Sequence, residues 1–534
     1  MTEDQATRVT TAGWRIRWDA DRARVAYDSG WWRRETCADA LHRAAKQDPA
    51  RILLIDGAVR LSAGALNARA ERLASALLRR FAPGSVVSFM LPNWHEAAEI
   101  YLATMLAGMV AHPVLPSLRE HDLRFMLADI GSRIIFVPAE FRGYDYGAMM
   151  SRVAAELERC PDIVVVRGDA GPHIAYATLA AEGGTTPLPA LDPDDVRMVM
   201  YTSGTTGRPK GVLHTHNSLN ALIRQIGCHW LVEPGDRFLV PSPISHIGGS
   251  IYAFEMPLLL GSTAVLMEKW DPDAAIGIML AERCTHMAGA TPFLQHLLAA
   301  ARAADTRLPD LKLFICGGAS VPPTLVREAS AYLDKAVVSR VYGSTEVPVT
   351  TIGVIDRDDI DHAAETDGRP GIATVKIAAD GEIRARGPQM LVGYVHPEDE
   401  ASAFDEEGFY RTGDQGKWVD DGYLVVTGRI KDLIIRNGEN ISPKEIEDLL
   451  VAHPGIAEIA IVGIPDARTG ERAVAVVVPR GDAAPDVAGL GAFLATHGVA
   501  RFKYPEQVAL WEKLPKNDAG KVLKQAIRAS LTAV

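Results

Sequence analysis

Short apolar runs alternate along this chain with stretches of helical spacing, and that alternation constrains its architecture more than any other feature. The runs ILLI (52–55), VVSFML (86–91), IIFV (134–137) and IVVV (163–166) read as buried strands. Residues 66–81 and 96–110 carry apolar side chains every three or four positions, the spacing of helices with a buried face. The pattern predicts an α/β chain of parallel-rich sheets covered by helices. No fixed-period repeat or low-complexity tract is present, which argues against a solenoid.

At 534 residues the chain exceeds what one hydrophobic core supports, so at least two domains are expected. The texture changes near residue 430, where GRIKDLIIRNGENISPKEIEDLL sets charged turns between a strand-like run and a helix start. Ser442 as N-cap, Pro443 at the first helical position and Glu445 three residues after the cap form an expected capping box. Two strand candidates follow, IAEIAIVGI (456–464) and RAVAVVVP (472–479), then a loop and terminal helix containing Lys521. We therefore expect a large N-terminal domain over 1–430 and a small mobile α+β domain over 431–534, with the boundary at Lys431.

Apolar residues make up 48% and charged residues 23%, the balance of a globular enzyme. The net charge of −11 disfavours a grip on nucleic acid or an anionic membrane and points to small-molecule partners. Cys37, Cys160, Cys228, Cys284 and Cys316 are odd in number and contain no CxxC pair, so neither a disulfide framework nor a zinc site is expected. The N-terminal MTEDQATRVT is polar and acidic, unlike a signal peptide, and no uninterrupted apolar stretch reaches membrane-spanning length. The reading is cytoplasmic, with no membrane span, and is compatible with a homodimer.

Residues 201–211 read YTSGTTGRPKG. Gly204, Gly207 and Gly211 let backbone amides approach an anion closely, Thr202, Ser203, Thr205 and Thr206 add hydroxyl donors, and Lys210 adds a full positive charge. Such a loop is built to hold phosphate. It is not a Walker A loop, because Lys210 follows Pro209 and precedes Gly211. This stretch resembles, without a mismatch, the signature loop of the adenylate-forming enzymes: acyl-CoA synthetases, carrier-protein adenylation domains and firefly-type luciferases.

The resemblance implies that the loop wraps the β and γ phosphates of ATP while a carboxylic acid is activated. A carboxylate is a poor electrophile, and joining it to the α-phosphate with loss of pyrophosphate makes it reactive. Charge then grows on the phosphoryl oxygens, so cations, a metal and a ribose clamp are required. The segment YGSTE (342–346) resembles the one in which the aromatic, here Tyr342, stacks on adenine, Thr345 touches phosphate and Glu346 holds Mg²⁺. Gly343 and Ser344 lie within it, and Ser344 stands where Met is more usual. CGGAS (316–320), with Gly317, Gly318, Ala319 and Ser320, resembles the turn bordering adenine. In YRTGD (410–414), Asp414 matches the aspartate that accepts from both ribose hydroxyls, a task suited to a paired-oxygen acceptor. Arg429 in GRIKD matches an arginine that meets ribose or phosphate.

By the same resemblance, Lys521 in LPKNDAGKVLK bridges the attacking carboxylate and the α-phosphate; Lys524 stands where an arginine is more common. Lys431 occupies the hinge, and the segment around Gly438 replaces Lys521 after rotation and lines a channel for the thiol of coenzyme A. The acyl pocket is expected from PSPISHIGG (241–249), AGATP (288–292) and the flanks of YGSTE, with Ser245, His246, Gly249, Ala290, Val341, Val347 and Pro348. His246 gates the carboxylate, and Ser245 argues against an aryl acid read through a 2-hydroxyl. Resemblance over nearly the whole chain to cyclohexanecarboxylate-CoA ligases and related acyl-CoA synthetases suggests an alicyclic, aromatic or medium-chain acid.

The expected activity is therefore an ATP- and Mg²⁺-dependent acid-thiol ligase using coenzyme A, with transfer to a carrier protein or an amine as the alternative. Ser203 lacks the glycine spacing of a nucleophile elbow, which disfavours a hydrolase. The HTH at 214–216 offers two histidines and no third ligand, too few for a metal.

Overall fold

The computed structural model describes residues 7–184, 186–202, 208–318, 320–437, 439–466, 468–481, 484–517 and 520–532. An eight-stranded sheet runs in the order Ile174–Ala175, Asp162–Val166, Ile134–Pro138, Val86–Phe89, Val110–Pro113, Val196–Thr202, Lys210–Thr215, Gly393–Tyr394. It is parallel up to Val196–Thr202 and antiparallel beyond. A seven-stranded sheet places Val337–Arg340, Leu313–Cys316, His286–Gly289, Arg237–Val240, Thr263–Leu266 and Ile52–Asp56 in parallel, with Val59–Ser62 antiparallel at its edge. All four apolar runs read from the sequence are strands of these two sheets.

One core joins both sheets through the helices between them, packing Leu54 from one sheet and Phe89 from the other around Leu73, Ile100 and Tyr101. Ala63–Arg80 starts at Ser62, whose hydroxyl accepts from the Ala65 amide at 3.3 Å. His95–Leu106 is buried on nearly every side. The helical spacing had extended to residue 110. The helix ends earlier because Gly108 takes φ 63°, a left-handed turn that releases Val110 into the next strand.

An antiparallel sheet, Thr374–Ile377, Glu382–Arg386, Tyr410–Val419 and Tyr423–Arg429, completes the large domain. The turn Ile430–Asp432 then leads into the small domain. There Ile434–Arg436, Glu439–Ile441, Ile456–Asp466, Gly470–Pro479 and Gln507–Leu510 form a mixed sheet. It packs on Pro443–Leu450 and Val487–Thr496 through Ile434, Ile446, Leu450, Ile461 and Leu490.

The expected capping box at Ser442 does not form. Ser442 is the N-cap residue and Pro443 begins the helix, but the serine hydroxyl donates to the Thr427 carbonyl at 2.6 Å, and Glu445 pairs with Lys503 at 2.7 Å. A hydroxyl at a helix start takes the nearest good acceptor, and here the preceding strand supplies one.

Candidate active site

The antiparallel register of Tyr410–Val419 and Tyr423–Arg429 sets Asp414 opposite Arg429. Asp414 is 5% exposed. Its Oδ1 accepts from Arg429 Nε at 2.9 Å and its Oδ2 accepts from the Tyr342 hydroxyl at 2.8 Å. Burial, then the Asp414 charge, pushes the tyrosine well above its ordinary pKa, so it stays a neutral donor.

Tyr342 enters this cluster through a folded-back segment. Its amide donates to Thr351 Oγ1 at 2.8 Å and its carbonyl accepts from the Thr351 amide at 3.0 Å. Gly343 is needed at that bend, since a Cβ would lie 2.6 Å from the Val349 nitrogen. The Ser344 hydroxyl accepts from the Val347 amide at 3.2 Å. The neighbouring glycine turn follows Leu313–Cys316, and a Cβ at Gly317 would stand 2.9 Å from the Val341 carbonyl oxygen. Gly318 takes φ 81°.

Glu346 is buried, with the Tyr394 hydroxyl 3.4 Å from Oε1 and no cation within ion-pair distance among the described residues. The Thr345 carbonyl accepts from His214 Nε2 at 2.7 Å. Burial lowers the His214 pKa to about 4, so this ring donates as neutral imidazole. His216 meets the Cys37 amide through Nδ1 at 3.4 Å. The HTH histidines are thus spent on backbone groups. Another carboxylate–imidazole cluster, Asp56, His95 and Glu96, is filled by the Arg167 guanidinium, 2.7 Å from Asp56 and 2.8 Å from Glu96.

Thr202 and Lys210 face each other at the end of the hairpin formed by Val196–Thr202 and Lys210–Thr215. Lys210 Nζ lies 3.5 Å from Asp399 and 5.4 Å from the Tyr394 ring centroid. Ser203, Gly204, Thr205, Thr206 and Gly207 lie outside the described residues, as do Ala319 and Gly438.

Lys521 comes from the other end of the chain. A cavity of about 470 Å³ between the two domains is lined by Gly318, Ser320, Tyr342, Asp414, Arg429, Lys431 and Lys521. Asn517 holds the lysine loop, its Oδ1 accepting from the Lys521 amide at 2.8 Å. Gly520 turns at φ 80° against Pro292 of the large domain. Burial, then the nearby Arg429 charge, lowers the Lys521 pKa from 10.5 to about 8. No described carboxylate reaches ion-pair distance of its ammonium.

The residues expected at the acyl pocket divide. Val341 lines the cavity. His246 precedes the helix Ile247–Ser250, and its carbonyl accepts from the Gly249 and Ser250 amides at 2.9 Å. A Cβ at Gly249 would overlap the Pro243 carbonyl oxygen. The Ser245 hydroxyl is buried without a hydrogen-bond partner among the described residues. Ala290 precedes the helix Thr291–Ala303 beside Gly520. Val347 is 1% exposed and packs with Val212, Met390 and Tyr394, so its side chain serves the core; Pro348 is also buried. Sequence reading had missed His214, Tyr394 and Asn517, of which only His214 carried a signal, in the HTH triplet.

This arrangement is that of an enzyme built from a large and a small domain with a cavity between them. Residues 41–395 match the AMP-binding enzyme family and residues 445–521 match the AMP-binding enzyme C-terminal domain, and the chain belongs to that family. It is 33% identical over 533 residues to the medium-chain fatty-acid–CoA ligase of Escherichia coli (strain K12), covering 96% of this chain and 93% of that one. It is 30% identical over 535 residues to the 2,3-dihydroxybenzoate-AMP ligase of Bacillus subtilis (strain 168), covering 96% and 97%. The fold superposes on ATP-bound MatB from Rhodopseudomonas palustris with a TM-score of 0.81 at 30% identity, over 92% of this chain and 98% of that one. Apo MatB gives 0.73 over the same shares. Among the described residues no helix is long and apolar enough to cross a membrane.

Proposed function

We propose that this protein is an AMP-forming acid-thiol ligase that converts a carboxylic acid to its acyl adenylate and then to a coenzyme A thioester. The observation that carries the reading is the half-buried Lys521, a cation without a carboxylate partner among the described residues, in the cavity that also holds Asp414, Tyr342 and Arg429. A cation held out of water without an anion marks the place where a ligand's charge belongs.

In the first step a carboxylate oxygen attacks the α-phosphorus and the bond to pyrophosphate breaks. Lys521 bridges the attacking carboxylate and the α-phosphate, and stabilises the charge that grows there. Asp414 accepts from the ribose hydroxyls while Arg429 and Tyr342 hold its oxygens in place. Lys210 and the hydroxyls of Thr202, Ser203, Thr205 and Thr206 take the β and γ phosphates, and Gly317 and Gly318 let adenine approach the backbone. In the second step the thiol of coenzyme A attacks the acyl carbon and AMP leaves.

Glu346 fits Mg²⁺, because it is a buried hard-oxygen ligand with no ion-pair partner among the described residues. Bound there, the ion would neutralise phosphate charge; Thr345 lies beside it, held by His214. We set the domain boundary at Lys431, with 1–430 and 431–534 turning about it between the two steps and the segment around Gly438 replacing Lys521 in the second. The five free cysteines support a cytoplasmic location.

An alicyclic, aromatic or medium-chain acid suits the apolar flank at Val341 and Ala290, and the E. coli relative supports a medium-chain one. The likeness to a 2,3-dihydroxybenzoate-AMP ligase, a relative named for its adenylate and not for a coenzyme A thioester, is the observation behind the second reading, transfer to a carrier protein or amine. Pyrophosphate release measured over a panel of carboxylic acids, with and without coenzyme A, tests both. We expect release that depends on the acid and rises with coenzyme A. Acid-dependent release indifferent to coenzyme A favours the second reading, and none with any acid overturns adenylation.

A further inference from the structure

Ser320 closes the glycine turn of the large domain, yet its hydroxyl is spent on the small one. Lys444 Nζ donates to Ser320 Oγ at 3.0 Å, and Ser320 Oγ donates to Asp448 Oδ1. Lys444 and Asp448 also pair with each other, one turn apart on Pro443–Leu450. The Ser320 carbonyl accepts from Thr291 Oγ1 at 2.6 Å, fixing the turn to the start of Thr291–Ala303. A hydroxyl suits this place because it can accept from the lysine and donate to the aspartate at once.

We propose that Ser320, Lys444 and Asp448 form a latch between the adenine turn and the small domain, and that Lys444 and Asp448 are positioning residues for Lys521 in the adenylation step. The inference rests on the domain rotation put forward above. Its mechanical link is Glu447, between the two latch residues on the same helix. Glu447 pairs with Lys524 at 2.7 Å and accepts from the Ile461 amide at 2.6 Å. Lys524 follows Lys521 by three residues, so Pro443–Leu450 and the lysine loop move as one body. When Ser320 seats the helix, Lys521 is seated over the cavity.

The contact is also weak enough to release. It consists of one neutral hydroxyl shared by a partly exposed ion pair, where each bond contributes little net free energy. The helix can leave Ser320 when the small domain turns for thioester formation. Because Ser320 lies on the turn proposed to border adenine, a nucleotide bound there favours the latched state.

The test measures two half-reactions separately: acid-dependent exchange between ATP and pyrophosphate, and thioester formation from a supplied acyl adenylate and coenzyme A. Asp448→Ala should slow exchange about tenfold, the scale of one lost charge-assisted hydrogen bond, and leave thioester formation unchanged. Ser320→Ala should slow exchange by a similar factor, and the double variant should slow it by less than the product of the two single effects, because both substitutions remove the Ser320–Asp448 hydrogen bond. Asp448→Asn, which keeps an acceptor for the hydroxyl at the same volume, should recover at least half of the lost exchange. The latch is overturned if both half-reactions fall together in Asp448→Ala, if the single effects multiply in the double variant, or if exchange is untouched. Absence of exchange in the unsubstituted protein would instead sink the adenylation reading beneath it.

Discussion

Asp414 and Arg429 are cross-strand partners whose side chains meet at 2.9 Å on the cavity face of the antiparallel sheet. A slip of one residue in register would turn Asp414 to the opposite face, so strand pairing itself aims this carboxylate. Asp414→Ala removes the acceptor proposed for ribose and leaves Arg429 and Tyr342 without theirs. We expect kcat/KM for ATP to fall about ten- to a hundredfold, the scale of lost hydrogen bonds to a charged group, read from the ATP dependence of pyrophosphate exchange.

Lys521, with its pKa lowered to about 8, sets a pH limit on the free enzyme. The lysine is protonated below that value and loses its charge above it, so kcat/KM for adenylation should fall as pH rises through about 8. Bound phosphates favour the charged form, so kcat should hold to higher pH. Lys521→Arg, permanently charged, should be slower but flat over this range, and Lys521→Ala should cut exchange about 10²- to 10³-fold at every pH while sparing the thioester step. Stability runs the other way. Between about 8 and 10.5 the unfolded lysine holds a proton that the folded one releases, so this group's contribution to stability rises with pH across that window. A wild-type kcat/KM profile that stays level to pH 10 would remove Lys521 from the step.

His214→Ala should leave the part-buried Thr345 carbonyl without its donor, at a cost of about 1 kcal/mol. If that bond aims Thr345 and Glu346, exchange should also require more Mg²⁺ for half-maximal rate. A drop in unfolding midpoint with an unchanged Mg²⁺ requirement would make His214 purely structural.

Arg197 and Glu255 are fully buried and 3.1 Å apart, with the Tyr101 hydroxyl also donating to Glu255. Glu255→Leu strands the guanidinium and should cost about 3–5 kcal/mol in urea unfolding, whereas adding Arg197→Met should restore most of it. Equal losses in the single and double variants would show that the charge pair is not the cause.

The parallel strands and the division into a large and a small domain could be read from residues close together in the chain. Apolar periodicity and turn composition act within a few residues, so ILLI, VVSFML, IIFV and IVVV declare strands wherever they finally pack. Tyr342, Asp414 and Lys521 were likewise marked by local motifs, though nothing local brings them to one cavity.

Tertiary structure decided which polar groups meet. Ser442 looked like a helix cap but bonds Thr427; Val347 looked like a pocket residue but packs in the core; His214 looked idle but holds Thr345, 131 positions away. The sequence by itself determined the elements and the kinds of group available to the site. Only the folded chain decided their partners and the Lys521 pKa, because a buried charge or hydrogen bond is governed by distance and exclusion of water, both set by residues remote in sequence.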